Sequence, residues 1–335
     1  MTQADAPRPT AVIFGCAGLE LTPQEAALFA TCQPWGFILF ARNIRDRAQI
    51  AKLTADLRAA VGWHAPIMID QEGGRVARMA PPDWRGFPPA LDQAAAPDAE
   101  RAFWLRGRAI ALDLAEVGID VNCAPLADIA LDETHAVLRN RCYGTEVAQV
   151  VTNARAMADG MRAGGVLPVL KHLPGYGRGT VDSHLDLPRV SAGAADLRAT
   201  DFAPFVALND MAMGMTAHLV FEAFDKDRPA TVSPVMMDLI RSEIGFDGLL
   251  MTDDISMEAL SGDLPWRALA ALDAGCDLIL HCNGDLAEMV RLHKALPPMS
   301  AAACRRAERA LAERHTPAPV DIPALDAERK ALEPS

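Results

Sequence analysis

The chain has 335 residues, half of them hydrophobic, and a formal net charge of -12 at pH 7. That much apolar side chain supports a large buried core and excludes a disordered chain, while the acid excess argues against nucleic acid, whose phosphates call for clustered cations. Residues 1–10 lack the basic-then-apolar pattern of a signal peptide, and no stretch approaches the roughly 20 apolar residues that span a bilayer, so a cytoplasmic protein without a membrane partner is expected.

From residue 11 onward, short apolar runs alternate with longer amphipathic ones, the pattern of parallel strands joined by crossover helices. Strands are predicted at 11–16, 36–40, 66–70, 119–123, 166–171, 214–220, 248–253 and 277–282. Most are continuously apolar, as strands covered on both faces must be. Helices are predicted between them at 23–31, 46–61, 97–117, 146–163, 194–209, 234–244, 265–274 and 286–296. At Thr22-Pro23 and Ser233-Pro234 a capping hydroxyl precedes a proline suited to the first helical position. Eight such repeats fit a single-domain α/β fold, a (β/α)8 TIM barrel over 11–316, preceded by an extension at 1–10. An open doubly wound sheet would need a glycine-rich first turn, and Phe14-Gly15-Cys16-Ala17-Gly18-Leu19 imitates GxGxxG poorly. Residues 300–314 read as one more helix, and 317–335 as a Pro-rich, charged tail that is surface-lying or disordered. The seven cysteines are odd in number and lack CxxC spacing, so reduced, mostly buried thiols are expected.

In a TIM barrel the site is built at the C-terminal ends of the strands, which makes a polar residue ending an apolar run informative. The third strand runs into Asp70-Gln71-Glu72-Gly73-Gly74-Arg75, the fifth ends in Lys171-His172, the sixth carries His218 and the seventh ends in Asp253-Asp254. Asp253 falls at the barrel mouth, where a carboxylate could attack a carbon. Asp254 should point elsewhere, because successive strand side chains alternate in direction. The plainer alternative is one helix-capping and one solvated carboxylate. Lys171 and His172 can donate hydrogen bonds to hydroxyls or an amide oxygen, or can be an ion-paired lysine beside a packed histidine. His218 is open between ligand contact and packing. Asp182-Ser183-His184 fits a general acid/base, since an Asp that accepts from one imidazole nitrogen fixes the tautomer and makes the other more basic. It also fits a turn closed by an Asx hydrogen bond. Gly175, Gly177 and Gly179 lack the GK[ST] ending of a phosphate loop and are expected to let the segment bearing His184 swing over the mouth. Neither HExxH nor Cys/His metal spacing is present, so no metal or cofactor is expected.

Five stretches, Ile69-Asp70-Gln71-Glu72-Gly73-Gly74-Arg75-Val76, Asn140-Arg141-Cys142-Tyr143-Gly144, Lys171-His172-Leu173-Pro174-Gly175, Asp182-Ser183-His184 and Thr252-Asp253-Asp254-Ile255-Ser256-Met257, together closely resemble the family 3 glycoside hydrolases. The likeness is to their single-domain bacterial β-N-acetylglucosaminidases of peptidoglycan recycling. It implies a monomer whose partners are N-acetylglucosamine-containing muropeptide fragments. The implied reaction is retaining hydrolysis of terminal β-linked N-acetylglucosamine from N-acetylglucosaminyl-anhydro-N-acetylmuramic acid and its peptides. By the same resemblance Asp253 is the nucleophile, and His184, oriented by Asp182, is the acid/base in place of the second carboxylate most glycosidases use. Asp70, Arg78, Arg141, Lys171 and His172 fall on the sugar-binding positions. The sequence departs from the family at Leu173, commonly Phe, at Tyr176, commonly His, and at Thr252, commonly Ser. Two alternatives stand beside this expectation. One is a phosphorylase, because a histidine repels incoming phosphate less than a carboxylate does; the other is a catalytically silent sugar-binding barrel.

Overall fold

The structure, a computed structural model, describes residues 8–179 and 187–334. Strands β1 (Thr10–Gly15), β2 (Pro34–Leu39) and β3 (Ile67–Ile69) are buried at every residue. This is what continuous apolar runs require, with helices on one face and barrel interior on the other. The chain continues through a short antiparallel hairpin, β4 (Gln71–Gly73) and β5 (Val76–Ala77), then β6 (Val121–Asn122), β7 (Leu167–Pro168) and β8 (Leu170–Leu173). After these come β9 (Arg189–Val190), β10 (Met213–Thr216), β11 (Val220–Phe221), β12 (Leu249–Asp254) and β13 (Leu278–His281).

The main sheet is nine-stranded and parallel, in the order β7-β6-β3-β2-β1-β13-β12-β10-β8. Its two ends, β7 and β8, are separated along the chain only by Val169. They are halves of one strand, so the order joins on itself as a (β/α)8 barrel. All eight predicted strand segments fall on it.

Helices α1 (Pro23–Cys32), α2 (Arg47–Val61), α3 (Ala90–Ala94), α4 (Ala99–Glu116), α5 (Ala136–Arg139) and α6 (Val147–Ala163) precede the second half. In that half lie α7 (Ala194–Ala199), α8 (Ala203–Ala207), α9 (Pro234–Asp238), α10 (Leu264–Ala274), α11 (Leu286–Ala295), α12 (Ala301–Ala312) and α13 (Ile322–Ala331). Thr22 caps α1 in a reciprocal box with Glu25, and Ser233 caps α9 through the Met236 amide; each such cap contributes about 1 kcal/mol.

The single helix predicted over 194–209 is two. Pro204 can sit only in a first helical turn, because it has no N–H to continue the ladder, so the chain breaks at Thr200–Phe202 and restarts. The helix predicted over 234–244 is α-helical only through α9 and then widens into a π turn at Leu239–Glu243. The segment 317–335, expected to be surface-lying or disordered, carries α13. Asp321 caps it, Leu325 packs against Leu105 and Ala109 of α4, and Arg85 reaches Asp326 at 2.9 Å.

Two cores result. The outer one lies between strands and helices and includes Phe14, Phe29, Phe37, Phe103 and Tyr143. The inner one fills the barrel with Ile13, Trp35, Met68, Met213, Met251 and their neighbours. Ala303, Ala307 and Ala310 of α12 join that inner core beside residues that begin strands, such as Ala11, Leu249 and Leu278, so α12 covers the N-terminal end of the barrel. The C-terminal end is left to the site.

Candidate active site

Asp70 directly follows β3, and Glu72, two residues on, lies on the same side of the extended chain. Lys171 on β8 sits between them, its Nζ 2.9 Å from Asp70 Oδ1 and 2.7 Å from Glu72 Oε1. Arg78 flanks Asp70 at 3.2 Å, and Arg141 grips Glu72 with both Nε and Nη2, at 2.9 and 2.8 Å. The result is an alternating run, Arg78, Asp70, Lys171, Glu72, Arg141. Lys171 and Glu72 are buried within it. Burial alone would push both carboxyls up and the lysine down. The neighbouring charges more than reverse it: Lys171 and Arg78 hold Asp70 well below the carboxylate range, and Arg141 and Lys171 hold Glu72 near about 2. Lys171 and Arg141 are raised above their ordinary values in spite of burial, by Asp70 and Glu72 and by Glu72 and Asp70 respectively. Asp70, Glu72, Lys171 and Arg141 are therefore charged at neutral pH, and removing a fully buried partner, Lys171 or Glu72, would cost about 3–5 kcal/mol.

The hairpin that carries Glu72 is propped from beneath. Arg106, fully buried, donates Nε and Nη2 to the Glu72 carbonyl at 2.9 and 2.7 Å and Nη1 to Gln93 Oε1 at 2.8 Å. Gly73, at φ 92°, leaves the room this needs: a Cβ there would lie 2.3 Å from Arg106 Nη2.

His172 is held by Asp128, whose Oδ2 is 2.7 Å from Nδ1 and whose Oδ1 accepts the Tyr176 amide at 2.7 Å. Since Nδ1 is engaged, Nε2 is the nitrogen free to meet a ligand in the cleft that His172 lines. The Tyr176 ring stands edge-on to the imidazole at 5.7 Å. At the end of β12 the two acidic side chains differ in their ties. Asp254 accepts from the Ser256 amide at 3.2 Å, the Ser256 hydroxyl at 2.7 Å and the Cys282 amide at 3.2 Å. Asp253 accepts from the Asp254 amide alone among the described residues, at 2.7 Å. His218 is buried and does not line the cleft. It bonds Thr231 Oγ1 at 2.7 Å and the Asp254 carbonyl at 3.0 Å, which makes it a support for that strand end. Burial pushes its pKa down, so it is a neutral imidazole that donates from Nε2.

Asp70, Arg78, Arg141, Lys171, His172 and Asp253 therefore line one cleft of about 260 Å³, with Phe40, Met215 and Leu280 among its apolar lining. Asp182 and His184 lie outside the described residues. Glu72, Asp128 and Tyr176 also belong to the arrangement, though sequence reasoning gave none of them a role. Period-two spacing from Asp70 would have found Glu72, and the strand-end rule extended past Cys123 would have reached Asp128.

The glycines before the segment that carries His184, which itself lies outside the described residues, are closely packed. A Cβ on Gly177 would lie 2.4 Å from the Ile129 carbonyl oxygen, and one on Gly175 would lie 2.8 Å from that of Asp201. Thr134 Oγ1 donates to the Gly177 carbonyl at 2.5 Å, and Arg178 Nε donates to Asp201 at 2.8 Å. Backbone is pressed against backbone here, and residues 175–179 are pinned.

Among the described residues, no three His, Cys, Asp or Glu side chains are grouped to hold a metal, and no helix is long and apolar enough to cross a membrane.

A barrel with a charged cleft at its C-terminal mouth is the build of an enzyme for a small polar substrate. Residues 19–309 match the glycosyl hydrolase family 3 N terminal domain. The chain is 35% identical over 308 residues to a beta-hexosaminidase of Chromobacterium violaceum, covering 89% of this chain and 85% of that one. It is 34% identical over 290 residues to a beta-hexosaminidase of Bordetella avium, with 84% and 83% covered. Native NagZ from Neisseria gonorrhoeae superposes with a TM-score of 0.84 at 29% identity over 97% of this chain and 96% of that one. A family 3 beta-N-acetylglucosaminidase from Paenibacillus sp. gives 0.85 at 30% identity, covering 93% of this chain and 62% of that longer one. The chain belongs to glycoside hydrolase family 3 and is a glycoside hydrolase.

Proposed function

We propose that the protein is a retaining exo-β-N-acetylglucosaminidase that removes terminal β-linked N-acetylglucosamine from N-acetylglucosaminyl-anhydro-N-acetylmuramic acid and its peptides. The observation that carries this reading is the alternating run Arg78, Asp70, Lys171, Glu72, Arg141, set with His172 in the cleft that Asp253 also lines. Hydroxyls need both donors and acceptors. Asp70 accepts, Arg78, Arg141 and Lys171 donate, and His172 offers Nε2. Asp253 attacks the anomeric carbon and forms the glycosyl-enzyme. His184, oriented by Asp182, protonates the departing oxygen and then takes a proton from water. An imidazole suits that double duty, because its ordinary pKa of about 6.5 lets it act as acid and base near neutral pH. The relatives named beta-hexosaminidase support the sugar, as does the N. gonorrhoeae NagZ structure in complex with N-trifluoroacetyl-D-glucosamine. The seven unpaired cysteines, five of them buried, favour a reducing compartment, and we place the enzyme in the cytoplasm as a monomer.

The test is release of p-nitrophenol from p-nitrophenyl β-N-acetylglucosaminide. Turnover is expected from the wild type, with a loss of about a thousandfold or more in Asp253→Ala and His184→Ala. Wild-type rates in Asp253→Ala would remove the nucleophile from the mechanism.

A further inference from the structure

The cations of the cleft differ in depth and in company. The Lys171 side chain is 2% exposed, that of Arg141 13% and that of Arg78 30%, and each lies against a carboxylate. Arg75 also lines the cleft but is exposed, at its mouth, and no carboxylate pairs with it among the described residues. Its Nη1 donates to the Val137 carbonyl, and its other guanidinium donors have no partner among the described residues. The position itself is rigid. Arg75 follows Gly73 and Gly74, both at positive φ, in the tight turn between β4 and β5. That turn is held by Arg106 on the Glu72 carbonyl and by the Gly74 amide on the Phe87 carbonyl at 3.1 Å.

We propose that Arg75 is a specificity-determining residue that binds a carboxylate carried by the leaving group. This rests on the reading of the cleft as a glycosidase site. The terminal sugar enters among the buried, paired charges, which puts the group it is cut from at the mouth, beside the one lining arginine without a carboxylate partner among the described residues. A planar guanidinium matches a carboxylate in a two-point bond, which a lysine does not reproduce. A neutral leaving group would leave that fork facing water.

The experiment compares 4-carboxyphenyl and 4-carbamoylphenyl β-N-acetylglucosaminides on wild type, Arg75→Gln and Arg75→Lys. The quantity read is the ratio of kcat/KM for the anionic over the neutral substrate. Intrinsic leaving-group differences cancel when this ratio is compared between proteins. Arg75→Gln is expected to lower it about fivefold, the scale of one partly exposed ion pair, with Arg75→Lys in between. Added salt should lower the wild-type ratio and leave that of Arg75→Gln flat. Among the described residues the exposed Arg75 side chain makes one hydrogen bond, to the main chain, so the fold is expected to survive its replacement, and a thermal melt checks this. A ratio equal in wild type and Arg75→Gln overturns the inference and leaves the glycosidase reading standing. A wild type that cleaves neither compound overturns that reading, and the inference with it.

Discussion

Asp128 Oδ2 lies 2.7 Å from His172 Nδ1, and the same carboxylate takes the Tyr176 amide on its other oxygen. One buried acid thus sets the tautomer of a histidine in the cleft and anchors the chain where it leaves β8. The two elements meet only because the barrel brings the stretch after β6 beside the end of β8.

Replacing Asp128 tests that double tie. Asp128→Ala leaves buried donors without acceptors, at about 1–3 kcal/mol each. It is expected to lower kcat/KM on an aryl β-N-acetylglucosaminide by about tenfold or more and to lower the melting temperature. Asp128→Asn keeps one acceptor and should retain more of both. Wild-type kcat/KM in Asp128→Ala would mean that His172 is oriented by something else.

Glu72 carries an expectation in acid. Its carboxyl lies near about 2 in the fold against 4.5 unperturbed. Its contribution to stability is therefore fully present above pH 4.5 and is lost as pH falls from 4.5 toward 2, where the unfolded chain takes up a proton that the folded one refuses. Glu72→Gln deprives Arg141 of its carboxylate and leaves Lys171 with Asp70 alone, and should be clearly less stable at pH 7. The gap between it and wild type should narrow through that acid window in denaturant titrations. A gap of constant size from neutral pH down to 2 would contradict the assignment.

His218 works in the same direction at higher pH. Its folded pKa is depressed from 6.5 by burial, so its neutral form contributes fully above pH 6.5, and that contribution fades as pH falls below it. His218→Gln can still donate to the Asp254 carbonyl and accept from Thr231. It should remove this pH dependence while keeping most of the activity. His218→Ala, with both bonds gone, should lose about 1–3 kcal/mol and reduce kcat through the loosened end of β12. Thermal melts at several pH values and steady-state kinetics read both effects.

Gly177→Ala is expected to cut activity sharply, because its methyl group would meet the Ile129 carbonyl oxygen at 2.4 Å. Gly18→Ala is the control, since a Cβ there meets nothing within 4 Å. If both variants keep wild-type kcat/KM, residues 175–179 are not the rigid root that the contacts describe.

The barrel was legible because most of its strands are continuously apolar and alternate with amphipathic runs of helical length. The break at Pro204 shows the opposite case, where an amphipathic pattern continues across a proline that the backbone must obey. Helix α13 escaped notice because it buries little besides Leu325 and the stem of Arg329, and Pro317, Pro319 and Pro323 mask a ten-residue helix. At the site, the charged strand ends could be read one by one, but their pairing could not. Asp70 and Lys171 are 101 residues apart, and only closure of the sheet brings them within 2.9 Å. The close packing at the loop glycines was hidden for a related reason. Composition records that no side chain is present, while the structure shows which neighbour occupies the space.

Helix α12 packs its small alanines beneath the barrel, and the methionines above them fill its axis. The cleft over Asp253 is therefore a dead end, and whatever enters must leave by the way it came. A chain cannot thread down the barrel axis.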